Sequence, residues 1–181
     1  MPSERLYFID TETTGLLPRV HEIISFGLII AEDGQIIEEK EIFLKPEQLE
    51  KADPVALRIN GYQSEKWSGA LSQRDALSQI AELLTKVDEK EQKVNTVTVV
   101  GHNVSFDLAF LYGSFWREQI DFLLPRHVID TYALAKCNLG RRSNSLSALC
   151  SHFNIRNERA HSALSDARAC FEVYKRLCPV K

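Results

Sequence analysis

The spacing of apolar positions changes period along this chain, and each change marks an element. The opening is extended. Arg-Leu-Tyr-Phe-Ile at 5–9 is a short apolar run, and residues 22–31 form a longer one rich in β-branched side chains. Glu32-Asp33-Gly34 contains Asp-Gly, a strong hairpin signal, so residues 35–44 are predicted to return as a third strand of an antiparallel meander.

After Pro46 and Pro54 the spacing becomes helical. A short helix from Pro54 closes at Asn60-Gly61, and Leu71, Leu77, Ile80, Leu83 and Leu84 lie on one helical stripe. The charged stretch 88–95 reads as a solvated loop. Residues 96–100 form a fourth strand ending at Gly101, and a helix follows that Ser105 is expected to cap, with Leu108, Leu111 and Phe115 on one side. Val128-Ile129 is a minimal fifth strand, after which Asp130 caps a helix to about Cys137. Ser145 caps another helix over 146–153, and the last runs from about Ser162 to Leu177. This order predicts an α/β fold in which three antiparallel strands are extended by parallel ones and covered by helices.

Bulk properties narrow the picture. At 181 residues the chain is expected to be a single domain, 1–181. Its 44% hydrophobic and 26% charged content is that of a globular protein, with no apolar run near the ~20 residues of a membrane helix. No signal peptide is read at the N-terminus, so a cytoplasmic location is expected. Cys137, Cys150, Cys170 and Cys178 form no close pair and are expected to be buried or half-buried thiols rather than a zinc site. A protein that grips long duplex usually shows a basic stripe and a high pI, whereas this chain has a net charge of −3, so either nucleic acid is not the partner or it is held in another way. A nucleic-acid contact would have to be short and mediated by cations.

The candidate chemistry lies in three distant segments. Asp10 and Glu12 follow the first strand, and residues two apart on extended backbone share a face. Two carboxylates so placed repel unless a cation sits between them, and oxygen-only clusters suit Mg²⁺ or Mn²⁺. Asp107 falls in the first turn of the helix after the fourth strand, where the helix dipole alone favours an acid by ~0.3–1 kcal/mol. His161 and Asp166 are five apart, ~140° around a helix, which is poor spacing for two rigid ligands. It suits a fixed acid on the helix and a mobile imidazole ahead of it, able to act as a general base. Each residue alone has an ordinary structural explanation; their convergence at strand ends and helix starts does not.

FIDTETTGL, GHNVSFDLAFL and the H-x-x-x-x-D of AHSALSDARA resemble, in this order, the three motifs of the DnaQ-like (DEDDh) 3′–5′ exonucleases. That group includes polymerase proofreading subunits, ribonuclease T and oligoribonuclease. The resemblance implies a ribonuclease H-like fold with a mixed five-stranded sheet. It implies two Mg²⁺ or Mn²⁺ ions held by Asp10, Glu12, Asp107 and Asp166, with Asp10 bridging and His161 as general base. The implied reaction releases nucleoside 5′-monophosphates from 3′ ends of single-stranded DNA or RNA. Of the substrate-site candidates, Thr13, Thr14 and Leu16 match family positions that contact the terminal nucleotide and Tyr62 a segment beside the terminal base; Asn103 and Phe106 fit the second motif, Phe106 as core, and Gly15 allows close backbone approach.

The resemblance leaves room for a homodimer or a polymerase partner. Arg141, Arg142, Arg156 and Arg159 flank the third motif and read by default as solvated, with phosphate contact the alternative. Gln119–Leu123 reads as a helix end that packs its Phe and Leu inside rather than as a clamp-binding peptide. A non-catalytic binding module of the same fold is the competing reading, and the intact acid set argues against it.

Overall fold

The structure, a computed structural model, describes residues 5–88, 93–123, 125–140 and 142–179. Its strands are β1 (Arg5–Thr13), β2 (Ile23–Glu32), β3 (Gln35–Phe43), β4 (Thr85–Asp88), β5 (Lys93–Thr96), β6 (Thr98–Gly101) and β7 (His127–Asp130). Its helices are α1 (Pro54–Ile59), α2 (Gln73–Leu83), α3 (Ser105–Arg117), α4 (Thr131–Leu139), α5 (Leu146–Phe153) and α6 (Ala163–Leu177). The main sheet has five strands in the order β3-β2-β1-β6-β7. The pairs β1/β2 and β2/β3 are antiparallel, whereas β1/β6 and β6/β7 are parallel. This is the mixed sheet expected from the sequence.

Two apolar layers cover the sheet, and the alternation of β1 assigns each side chain to one of them. Tyr7 and Ile9 join Leu77, Ile80, Phe110 and Leu111 in the cluster under α2 and α3. Phe8 points the other way, into the cluster of Phe171 and Cys170, with its ring 5.2 Å from that of Phe171 in an edge contact. Strand β2 is buried along its whole length except Glu32, as a strand covered on both faces must be. On its α6 side the sheet carries Gly27 opposite Asp10. A Cβ there would lie 2.2 Å from the carbonyl carbon of Ala163 and 2.4 Å from the Leu164 nitrogen. Only a glycine lets the first turn of α6 lie directly on the strand.

Local chemistry accounts for the helix starts. The carboxylate of Asp130 accepts from the N–H groups of Tyr132 and Ala133, and Ser145 accepts from Ala148, as their positions before apolar stripes predict. Several expectations need correction. Strand β1 does not end at Ile9 but runs to Thr13, because its pairing with β2 continues through polar residues. The charged segment expected as a loop instead forms the hairpin β4–β5, since a two-stranded ladder needs only backbone partners; residues 89–92 within it lie outside the described set. Buried Val97 separates β5 from β6 and divides the expected fourth strand.

Ser105 is the first residue of α3 rather than its cap. Val104 holds the cap position without a side-chain bond. Phe122 packs inside, stacked on Phe115 at 4.1 Å, but Leu123 remains 41% exposed where the chain leaves the core. Cys150 and Cys170 are buried, whereas Cys137 is exposed on the outer side of α4. No helix among the described residues is long and apolar enough to cross a membrane.

Candidate active site

The carboxyl end of β1 gathers acids from both layers. Asp10 and Glu12 share the α6 face with Phe8, while Thr11 between them shares the α3 face with Ile9. The pairing of β1 with β2 shifts register just after Glu12, so the strand departs from the ladder where the site begins. Asp107, buried in the first turn of α3, reaches β1 from the opposite layer. Its Oδ1 accepts two hydrogen bonds from Thr11, one from the backbone N–H at 2.8 Å and one from the hydroxyl at 2.7 Å.

Asp166 arrives on the first turn of α6. Its Oδ2 accepts the backbone N–H of His161 at 2.9 Å, and its Oδ1 accepts from the side-chain amide of Asn157. His161 precedes the helix, exposed, with a left-handed backbone at φ +67°. That turn overcomes the unfavourable helical spacing. One ring nitrogen of His161 and one carboxylate oxygen each of Glu12 and Asp166 lie within 4.8 Å of one another.

The electrostatics are those of a site short of positive charge. Burial, followed by repulsion from Asp107, Asp166 and Glu12, raises the Asp10 carboxyl well above its ordinary range. Burial and the neighbouring Asp166, Asp107 and Glu41 push Glu12 up to about 8. Burial pushes Asp107 up to about 7 even though the two Thr11 bonds oppose the shift. Among the described residues no Lys or Arg forms an ion pair with these acids. Asp107 is buried and Asp10, Glu12 and Asp166 are half-buried; bound cations would offset the repulsion among them, and the carboxylate oxygens suit hard divalent ions.

The other sequence candidates serve mainly to build the surrounding loop. The Thr13 hydroxyl donates to the Gly15 carbonyl at 2.7 Å, and the Thr13 carbonyl accepts from the Asn60 amide at 2.9 Å. The Thr14 hydroxyl accepts the Glu22 N–H at 2.9 Å. Gly15 is packed on the His21 ring, where a Cβ would lie 2.4 Å away. Leu16 projects into solvent, 72% exposed. Asn103 turns the chain from β6 into α3 with φ +61°, and its N–H donates to Asp130 at 3.1 Å. Phe106 is half-buried, its ring 4.8 Å from that of Phe110. Tyr62 leans on Trp67 at 5.1 Å, and the Trp67 indole donates to the Ile24 carbonyl at 2.8 Å.

A cavity of about 390 Å³ opens beside Glu12 and His161, with Asn60, Lys66, Trp67 and Arg159 in its wall. Arg142 and Arg156 are exposed, and Arg141 lies outside the described residues. Sequence reasoning passed over Thr11, Glu41, Lys66, Trp67 and Asn157. Only the position of Thr11 between two acids was a signal, and its partner lies 96 residues away.

Comparison with known proteins shows the family and the fold. The exonuclease family (RNase_T) matches residues 7–174. The chain is 34% identical over 169 residues to a PolC-type DNA polymerase III of Thermotoga petrophila, covering 93% of this chain but 11% of that protein. It is 31% identical over 183 residues to the DNA polymerase III epsilon subunit of Salmonella typhimurium, covering 94% of this chain and 70% of the subunit. Escherichia coli Exonuclease I, solved with a dT13 oligonucleotide, shares the fold with a TM-score of 0.83 at 20% identity, over 97% of this chain and 41% of that one. The chain therefore belongs to the exonuclease family, in its DnaQ-like 3′–5′ branch.

Proposed function

We propose that residues 1–181 form one exonuclease domain that removes nucleotides from the 3′ end of single-stranded DNA or RNA as nucleoside 5′-monophosphates. One observation carries this reading: four carboxylates from three segments converge with no ion-paired Lys or Arg among the described residues, and three of them are held above their ordinary range. Asp10, Glu12, Asp107 and Asp166 would hold two Mg²⁺ or Mn²⁺ ions. When bound, these would supply Lewis-acid stabilisation of the phosphate charge and a more acidic water.

The side chains divide the remaining work. His161, beside Glu12 and Asp166, takes a proton from the attacking water, whose oxygen forms the new bond to phosphorus. The bond from phosphorus to the 3′ oxygen of the penultimate nucleotide breaks, and that oxygen takes up a proton. The terminal nucleotide leaves with its 5′ phosphate. The cavity beside Glu12 offers this nucleotide an aromatic wall in Trp67 and a cation in Lys66, with Asn60 held between the cavity and Thr13.

Because its relatives include a PolC-type DNA polymerase III and a DNA polymerase III epsilon subunit, a DNA strand and a polymerase partner are the first to test. A 5′-labelled single-stranded oligonucleotide incubated with Mn²⁺ should yield a descending ladder and free mononucleotides. A strand that is bound but left intact would overturn the reading and leave a binding module.

A further inference from the structure

Asn157 belongs to none of the three motifs, yet it touches the site. It lies half-buried in the loop between α5 and α6, and its side chain is used at both ends. Its amide nitrogen donates to Asp166 Oδ1, and its carbonyl oxygen accepts the Ser165 hydroxyl at 2.7 Å. The Asp166 carboxylate fixes which way the amide faces, because an acceptor-only group must meet the nitrogen, and the Ser165 hydroxyl then donates to the oxygen.

Asp166 is thus held by one donor on each oxygen: the Asn157 amide on Oδ1 and the His161 backbone N–H on Oδ2. Each oxygen keeps a lone pair free for a cation. The second bond also restrains His161 in its left-handed backbone, a conformation unfavourable for a non-glycine residue. The Ser162 hydroxyl, at the position that would cap α6, turns instead to Glu41 at 3.3 Å.

We propose that Asn157 is a positioning residue that fixes the Asp166 carboxylate for its cation and, through it, the backbone that presents His161. This rests on the reading of the acids as a divalent-cation site. Partners that orient metal-holding side chains typically control affinity by ~10–100-fold.

The test is Mn²⁺ binding by titration calorimetry, without substrate, on wild type, N157L, N157H and S165A, together with kcat, KM and Tm. N157L keeps bulk and loses the donor, and should lose ~10-fold or more in Mn²⁺ affinity and in kcat with KM little changed. N157H, which retains an N–H donor, should recover most of the affinity. S165A, which only frees the amide to rotate, should show a smaller loss. Wild-type Mn²⁺ affinity and kcat in N157L, or a lowered Tm without a change in affinity, would reduce Asn157 to loop structure and overturn the proposal alone. Failure of wild type to bind Mn²⁺ would overturn the metal reading as well.

Discussion

Thr11 and Asp107 are 96 residues apart, yet Thr11 directs both its backbone N–H and its hydroxyl onto one oxygen of the Asp107 carboxylate. The contact lies on the α3 face of the sheet, opposite the face that carries Asp10 and Glu12. Asp10 and Glu12 lie on the α6 face, Asp107 comes from the α3 layer, and Thr11 is the side chain of β1 that faces α3. A strand thus presents two acids forward and uses the residue between them to hold a third.

Removing that hydroxyl should loosen the third acid. Thr11→Val keeps the shape and the backbone donor but deletes one bond to a carboxylate, a contact of ~1.5–3 kcal/mol. The Asp107 carboxyl, already pushed up to about 7, should titrate higher still in the metal-free protein. Carboxyl ¹³C NMR titration with Asp107→Asn as the assignment control would show it, and an unmoved titration would remove Thr11 from this role.

The stability of the metal-free protein should fall as pH rises. Glu12 and Asp107 have folded values of about 8 and about 7, and Asp10 is also raised, all above their unfolded values near 4. The folded state therefore holds protons that the unfolded state releases. The stability these groups contribute is fully present below pH ~4 and is lost between there and pH ~8. Melting curves in EDTA across this range should show Tm dropping towards alkaline pH, and saturating Mn²⁺ at pH 8 should restore it. Asp10→Asn should flatten the decline.

Catalytic substitutions should separate holding ions from moving protons. Asp10→Ala should abolish cleavage of a labelled strand and weaken Mn²⁺ binding together. His161→Ala should lower kcat by ~10²–10⁴, the usual contribution of general-base catalysis, while Mn²⁺ affinity stays near wild type. Calorimetry showing a parallel collapse of affinity in His161→Ala would make the imidazole a ligand instead.

Gly27→Ala should damage the site without touching an acid. The new Cβ would stand 2.2 Å from the carbonyl carbon of Ala163, so the first turn of α6 must move away from β2. Overpacking of this kind costs ~1–3 kcal/mol, and the displaced turn carries Asp166 and follows His161. Activity measured well below the reduced Tm should fall far more than the folded fraction does. Wild-type activity in a folded variant would show that the approach of α6 is not needed.

Much of this arrangement could be read from the chain alone, for local reasons. Period-two alternation puts Asp10 and Glu12 on one face wherever the strand goes. Asp130 and Ser145 cap their helices because a short polar acceptor just before an apolar stripe finds free N–H groups within three residues. The five-residue gap from His161 to Asp166 already spoke against a single rigid helical face. What only the tertiary structure decided depends on contacts that no local pattern encodes. These are the Thr11 bonds to Asp107, the first turn of α6 on Gly27, the left-handed turn at His161 and the Asn157 amide on Asp166. The hairpin β4–β5 belongs here too, since a charged segment acquires a ladder only when a partner strand is supplied. Sequence spacing fixes the direction of a side chain along its own strand or helix; which carboxylates come to share one buried volume, and which neutral donors hold them there, depends on how the layers pack.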